Sequence, residues 1–435
     1  MSSGMISRIS IFLLLATVAL VAVSSVNSQQ VPVDKTAARP EDIPFTIEQA
    51  DHLFQRKDPS GADRFILQGN VRVVRGASRI ECGVLTYYPS GSYFLCVDSV
   101  FLTDAERSLH SDTLFYYVEQ AYYSAQGSLR WATREFSGTG LRGDYYRGSE
   151  LMVVEGRAVA RDSLREIRAD KLEYDYTSET LRASGSVEML EVNSGSNALA
   201  SGALYQCETG LLTLSGRPRV TYYETDDTLC LDPYHLICDI LKTYSNDSLF
   251  ATGRVRLWDD SLSITSDSLF HNRVAGVSYF RGGPPAVENP RYNLRGELLD
   301  VFIEKRRLKR INAERKARGE FYFDGERGDL GRIFAEGESA VGSWIEGDLL
   351  ELYFGVEALD SIAAVGNARS YFRETAESGV NYIQGARMLL IWRDAALETI
   401  EVTDGGRGLF LPADSTVGMT VIPDSAGFKT PSDSL

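Results

Sequence analysis

A glycine followed by apolar residues two and four places on recurs along this chain at a fixed interval. It stands as Gly69 with Val71 and Val73, Gly127 with Leu129 and Trp131, Gly156 with Ala158 and Ala160, and Gly185 with Val187 and Met189. Asp98, with Val100 and Leu102, takes the glycine's place between the first two. The starts at 69, 98, 127, 156 and 185 are each 29 residues apart, and stretched copies begin at Gly216 and Gly253. Repetition at such a period marks one supersecondary unit stacked on copies of itself.

A second mark lies between these: an aliphatic residue, a small one two later, often an acid at three, and Leu at five. Ile80 leads to Cys82, Leu85 and Tyr87; Leu109 leads to Ser111, Asp112, Leu114 and Tyr116. The cleanest copy is Ile167, Ala169, Asp170, Leu172 and Tyr174. Weaker copies start at Leu199, Leu231, Ile264, Leu294, Ile345 and Ile383. Apolar and polar residues alternate through each short run, which is the period of a half-buried strand. The leading aliphatic and the Leu have opposite parity, so the small residue between them predicts a bend or bulge that turns both inward. Turn residues such as Pro89, Ser90 and Gly91, or Asn193 to Ser196, separate the runs. One unit therefore has room for two strands and two turns.

Around Gly282 to Pro285 the spacing changes, and a related layout takes over. Gly296 to Phe302 with Leu308 to Ala313 is echoed by Gly347 to Tyr353 with Leu359 to Ala364, and again by Met388 to Val402. The basic run 305–318 reads either as a helix or anionic-lipid patch or as a solvated strand; its parallel with 356–369 favours the strand. The expected organisation is a leader over 1–28, a linker over 29–60, repeats over 61–283, a second repeat region over 284–410, and a loose tail over 411–435.

The first 28 residues have the layout of an export leader. Arg8 precedes the apolar stretch from Ile9 to Val23, and small residues at Ala22, Ser24 and Ser28 favour cleavage between Ser24 and Ser28. The alternative is an uncleaved membrane anchor. A net charge of −15 argues against a nucleic-acid partner, because phosphates need a basic surface. Five cysteines follow the leader, and Cys82 and Cys96 flank the 89–92 turn so as to be candidates for a disulfide across a hairpin. The histidines His52, His110, His235 and His271 are scattered, which gives no zinc spacing. No metal or other cofactor is expected. Gly138, Gly140 and Gly143 match the spacing of a dinucleotide fingerprint but run into Asp144 and two tyrosines, so the segment reads as a turn. The acid pairs Asp226-Asp227 and Asp259-Asp260 read as solvated turns.

These repeated strands, from Gly69–Val73 and Ile167–Tyr174 through Gly253–Leu257 and Leu359–Ala368, resemble the OstA-like family over about residues 61–410. That family includes LptA, LptC and the N-terminal domain of the outer-membrane lipopolysaccharide translocon. The resemblance implies an all-β fold, an elongated open β-jellyroll of antiparallel strands with an apolar interior. It also implies a non-enzymatic periplasmic bridge that carries lipopolysaccharide, or a related lipid, towards the outer membrane. On that reading Val71, Val73, Leu85, Val100, Leu114, Leu129, Leu172, Val187, Leu204, Val255 and Leu269 line a groove for acyl chains. Other envelope-transport components would pair with exposed strand edges, and copies of the chain would associate head to tail. The competing readings are a β-repeat scaffold or adhesion protein and a β-helix carbohydrate-active enzyme.

Overall fold

The structure, a computed structural model, describes residues 45–411 apart from 224, 227–228, 231–232, 245–247, 261, 305–306, 322–342, 356–358, 374–378 and 394–395. The leader, residues 29–44 of the expected linker, the tail beyond 411, Asp227, and Leu231 and Asp232 at the start of the Leu231 copy lie outside the described residues. Two compact units divide the chain near residue 255, upstream of the 283/284 join at which the spacing changes. Contacts follow the strand pairings rather than the length of the repeat.

In the first unit the strands are β1 (Thr46–Gln49), β2 (His52–Lys57), β3 (Asp63–Arg75), β4 (Ser78–Tyr88), β5 (Tyr93–Thr103) and β6 (Ser108–Tyr117). They continue as β7 (Tyr122–Ala132), β8 (Ser137–Tyr146), β9 (Leu151–Arg161), β10 (Arg165–Asp175), β11 (Thr180–Glu191) and β12 (Asn197–Gln206). From β3 to β12 each strand pairs antiparallel with the next. The 29-residue unit is thus one odd strand with the even strand after it, joined by tight turns. β1 and β2 fall within the expected linker but pair with β3, whose backbone groups are otherwise open on that side.

Every one of these pairings shifts register near its middle. The shift falls between Gln68 and Val71 on β3, between Val97 and Val100 on β5, and between Arg168 and Lys171 on β10. The repeated glycine sits at this bulge. Gly69, Gly156 and Gly185 have φ of +81°, +77° and +71°, and the residue after each is also positive. Glycine occupies that region without the penalty a Cβ brings. A Cβ at Gly185 would also overlap Asp170, the acid of the second mark, whose own Cβ would be 3.0 Å away. The two marks are therefore partners on neighbouring strands: the acid covers the backbone that the glycine leaves bare. Asp112 shows the polar side of this arrangement, its Oδ2 accepting the Ser128 backbone N–H at 2.9 Å.

The bulge makes each strand serve two layers. The edge pairings show it directly: β2 pairs with the first half of β3 and β1 with the second. At the other end β12 splits its pairing between β13 (Leu211–Ser215) and β14 (Arg219–Tyr222). The 219–222 half is then covered by residues 234–237, and the 211–215 half by residues 240–244, which in turn pair with 248–252.

The second unit repeats the device with longer strands. Residues 307–321, 343–354, 359–372 and 380–393 pair in sequence, and all three pairings shift register midway. The last of these strands is covered on its two halves by 396–403 and 407–411. From Arg307 to Arg318 the basic run lies in the strand 307–321, as its parallel with 356–369 indicates. Across the described residues the fold is built of antiparallel β-strands in a jellyroll-like arrangement.

The segment Gly138 to Gly143 is strand, not the turn expected from its glycines. It lies in β8 because neighbours press on the backbone there. A Cβ at Gly138 would come 2.5 Å from the Trp131 ring, and one at Gly143 would come 2.7 Å from a Leu129 methyl. Small residues are required by packing at these positions rather than by chain reversal.

Candidate functional site

The space between the two layers of the first unit is filled by the apolar side chains on either flank of each bulge. Val71, Val73, Leu85, Val100, Leu114, Leu129, Leu172, Val187 and Val255 are all buried there, none above 3% exposed. Leu269 is fully buried in the second unit.

Leu204 departs from the expectation. It is half-buried, while Ala203 beside it is buried, and Leu199 is 51% exposed where its counterpart Ile167 is buried. The copy in β12 is anchored one residue earlier, on Ala198 and Ala203. A slip of one residue exchanges the faces of a strand. Because alanine carries little apolar signal, its larger neighbours Leu199 and Leu204 mark the wrong face.

Cys82 and Cys96 are both buried free thiols. Cys96 stands opposite Leu85 rather than Cys82, because the register shifts between Glu81 and Val84. The two thiols nonetheless meet: a hydrogen bond with Cys82 and then burial hold the Cys96 thiol well above its ordinary range.

Contacts also run between the turn before one even strand, or its start, and the end of the even strand that follows it. At these places the layers touch. Arg75 donates to the Tyr116 hydroxyl and lies 4.8 Å over the Phe45 ring. Arg107 donates Nη1–H to the Tyr145 hydroxyl at 2.6 Å, and Tyr145 donates to Glu150 at 2.6 Å. The same guanidinium lies 4.6 Å from the Tyr176 ring centre and pairs with Asp104 at 3.0 Å. Phe136 packs edge-on against Tyr174, and Arg165 lies 4.5 Å over Tyr205. Arg107, Phe136 and Arg165 are themselves 29 apart, as are Tyr87, Tyr116, Tyr145 and Tyr174. These seam residues follow the period of the repeat, which is the signal by which the sequence marks them, yet glycine-to-apolar spacing alone passes over them.

Burial, then the hydrogen bond to Glu150, pushes the Tyr145 hydroxyl up to about 12. Burial likewise raises Tyr123, Tyr174 and Tyr176. An unfolded tyrosine ionises near about 10, so above that pH the folded chain keeps protons the unfolded chain has lost. The stability these groups contribute is complete below about pH 10 and is lost as pH rises through about 12. Thermal melts from about pH 8 to 12 should show the midpoint falling over the upper part of that range. A flat midpoint across it would exclude the seam tyrosines as a source of stability.

The indole Nε1–H of Trp131 is buried and has no acceptor among the described residues. No helix among them is long and apolar enough to cross a membrane.

Residues 49–180, which hold β2 to β10, match the family model described as LptA/(LptD N-terminal domain) LPS transport protein. No curated protein matches the chain. The family is one of transport and binding in the cell envelope rather than of catalysis. Bent strands around an apolar interior and this match agree: over residues 49–180 the chain is similar to the LptA/OstA-like family of lipopolysaccharide-transport proteins, and the match supports its placement there.

Proposed function

We propose that this protein is a periplasmic bridge that carries lipopolysaccharide towards the outer membrane, holding the acyl chains between the two layers of its first unit. The observation that carries this reading is the match of residues 49–180 to a lipopolysaccharide-transport domain, laid over an interior of apolar side chains. Transferring a chain of a dozen carbons out of water gains on the order of 10 kcal/mol gross, at about 0.8 kcal/mol per CH₂. Such capture needs no polar recognition.

Entry requires the layers to part, and the seam is where they do so. Its Arg–Tyr contacts are few and polar, and water can replace them once it opens. An ester or amide carbonyl on the incoming lipid would supply the acceptor that Trp131 lacks. After the leader is removed, the chain would work between membranes. Neighbouring transport components or further copies would pair with its strand edges. β1 and β2 expose Ile47 and Leu53 at 52% and 62%, and the strand 407–411 exposes Phe410 at 60%. Edge backbone that has no partner among the described residues, beside such side chains, favours strand addition.

A photoreactive residue at position 172 tests the reading in cells, with position 171 as control. Leu172 is 2% exposed inside the layers, whereas Lys171 faces outward and pairs with Glu173 at 2.7 Å. A lipopolysaccharide adduct at 172 and none at 171 is expected. An exported, folded protein that gives no adduct at 172 would turn the reading towards a β-repeat scaffold.

A further inference from the structure

We infer that the outer face of the second unit carries a binding site for an anionic oligosaccharide, separate from the apolar interior. A valley of about 980 Å³ crosses the strands 307–321, 343–354, 359–372 and 380–393 at their bends. Ala317, Gly347, Ala368, Gly385 and Ala386 keep its floor low, so a ligand can come close to the backbone.

Along one wall, cross-strand pairing sets Arg318 beside Glu346, Glu346 beside Arg369, Arg369 beside Gln384, and Gln384 beside Arg407. Arg369 reaches Glu346 at 3.2 Å. Arg407 is exposed and has no carboxylate in ion-pair range among the described residues. The next cross-strand row out is Trp344, Tyr371 and Tyr382, and Arg318 lies 4.9 Å over the Trp344 ring.

The composition of the row selects the ligand. Arginine only donates, in a fork that fits a phosphate or carboxylate, while Glu346 accepts and the Gln384 amide does both. A hydroxyl both donates and accepts, so a row of alternating donors and acceptors suits a hydroxylated chain. Arg318 is shared between Glu346 and Glu320, and Asp348 lines the valley, so the excess positive charge of the row sits at Arg369 and Arg407, on a protein whose net charge is −15. Sparse anionic groups are therefore attracted, whereas a dense polyanion such as nucleic acid is repelled by the remainder of the molecule. The volume falls within the usual range for small-ligand sites, about 300–1,000 Å³.

Titration of the full exported protein with a deacylated, phosphorylated lipopolysaccharide oligosaccharide, followed by calorimetry, tests this. Saturable binding is expected, weakened at least tenfold in Arg369→Ala/Arg407→Ala. Both side chains are exposed, so melts of this variant should match the parent. The single Arg407→Glu variant should weaken binding in the same direction. The same oligosaccharide stripped of its phosphates should bind more weakly. Unchanged binding in the double variant, an absence of binding by the parent, or equal binding of inorganic phosphate or an acidic peptide would overturn the assignment. Because the probe has no acyl chains, its result is independent of the crosslink at position 172, and either reading can fail alone.

Discussion

Leu172→Asp unfolds the first unit rather than merely weakening ligand capture. Leu172 is 2% exposed, with Leu181 and Ala183 buried on one side of it in β11 and Val154 on the other in β9. Removing such a side chain costs about 2–5 kcal/mol through lost transfer energy and the cavity left behind. A carboxylate put in its place must also be stripped of water without a partner, which carries the total beyond about 4 kcal/mol. Domains of this kind hold only about 5–15 kcal/mol in all. Melting monitored by circular dichroism should show an early or missing transition. Lys171→Asp, one residue away on the outer face, should move the midpoint little. Equal midpoints for Leu172→Asp and the parent would mean that the interior is open to water at this position.

Gly185→Ala is the second change with a large expected effect. The residue sits at φ +71°, where a Cβ costs about 1–2 kcal/mol, and the new methyl would overlap Asp170 as well. Gly195 isolates the first contribution: its φ is +73°, but nothing lies within 4 Å of the position a Cβ would take. We expect Gly195→Ala to cost about 1 kcal/mol and Gly185→Ala about 2–4 kcal/mol. Adding Asp170→Ala to Gly185→Ala should return part of the difference, since the overlapping group is then gone. Chemical denaturation of the two single variants and the double variant measures this directly. Equal costs at 185 and 195 would show that the acid gives no steric cover to the bulge glycine.

The 29-residue spacing, the strand period and the opposite parity of Ile167 and Leu172 were sufficient to predict paired strands with a bulge. All of these are local properties, fixed by how a pleated backbone alternates its side chains and by where it can accept positive φ. The same local signal failed in β12, where alanines hold the inward positions while the exposed Leu199 and half-buried Leu204 draw attention to the wrong face. It failed again at Gly138 to Gly143, where the glycines answer to Trp131 and Leu129 on the neighbouring strand.

Which residues alternate and where the strands bend were set by the sequence alone, because each depends on neighbours along the chain; that Asp170 covers Gly185 on the adjacent strand emerged only from the structure. Other features depended on the tertiary structure. The seam of Arg107, Tyr145 and Glu150 joins strands that are not neighbours in the ladder, and so does the contact of Arg165 with Tyr205. The row from Arg318 to Arg407 brings together residues from five strands, with a spacing that follows no single period. The seam contacts exist only once the layers have folded over one another, whereas the row needs only the register of successive strand pairings, which no local period fixes.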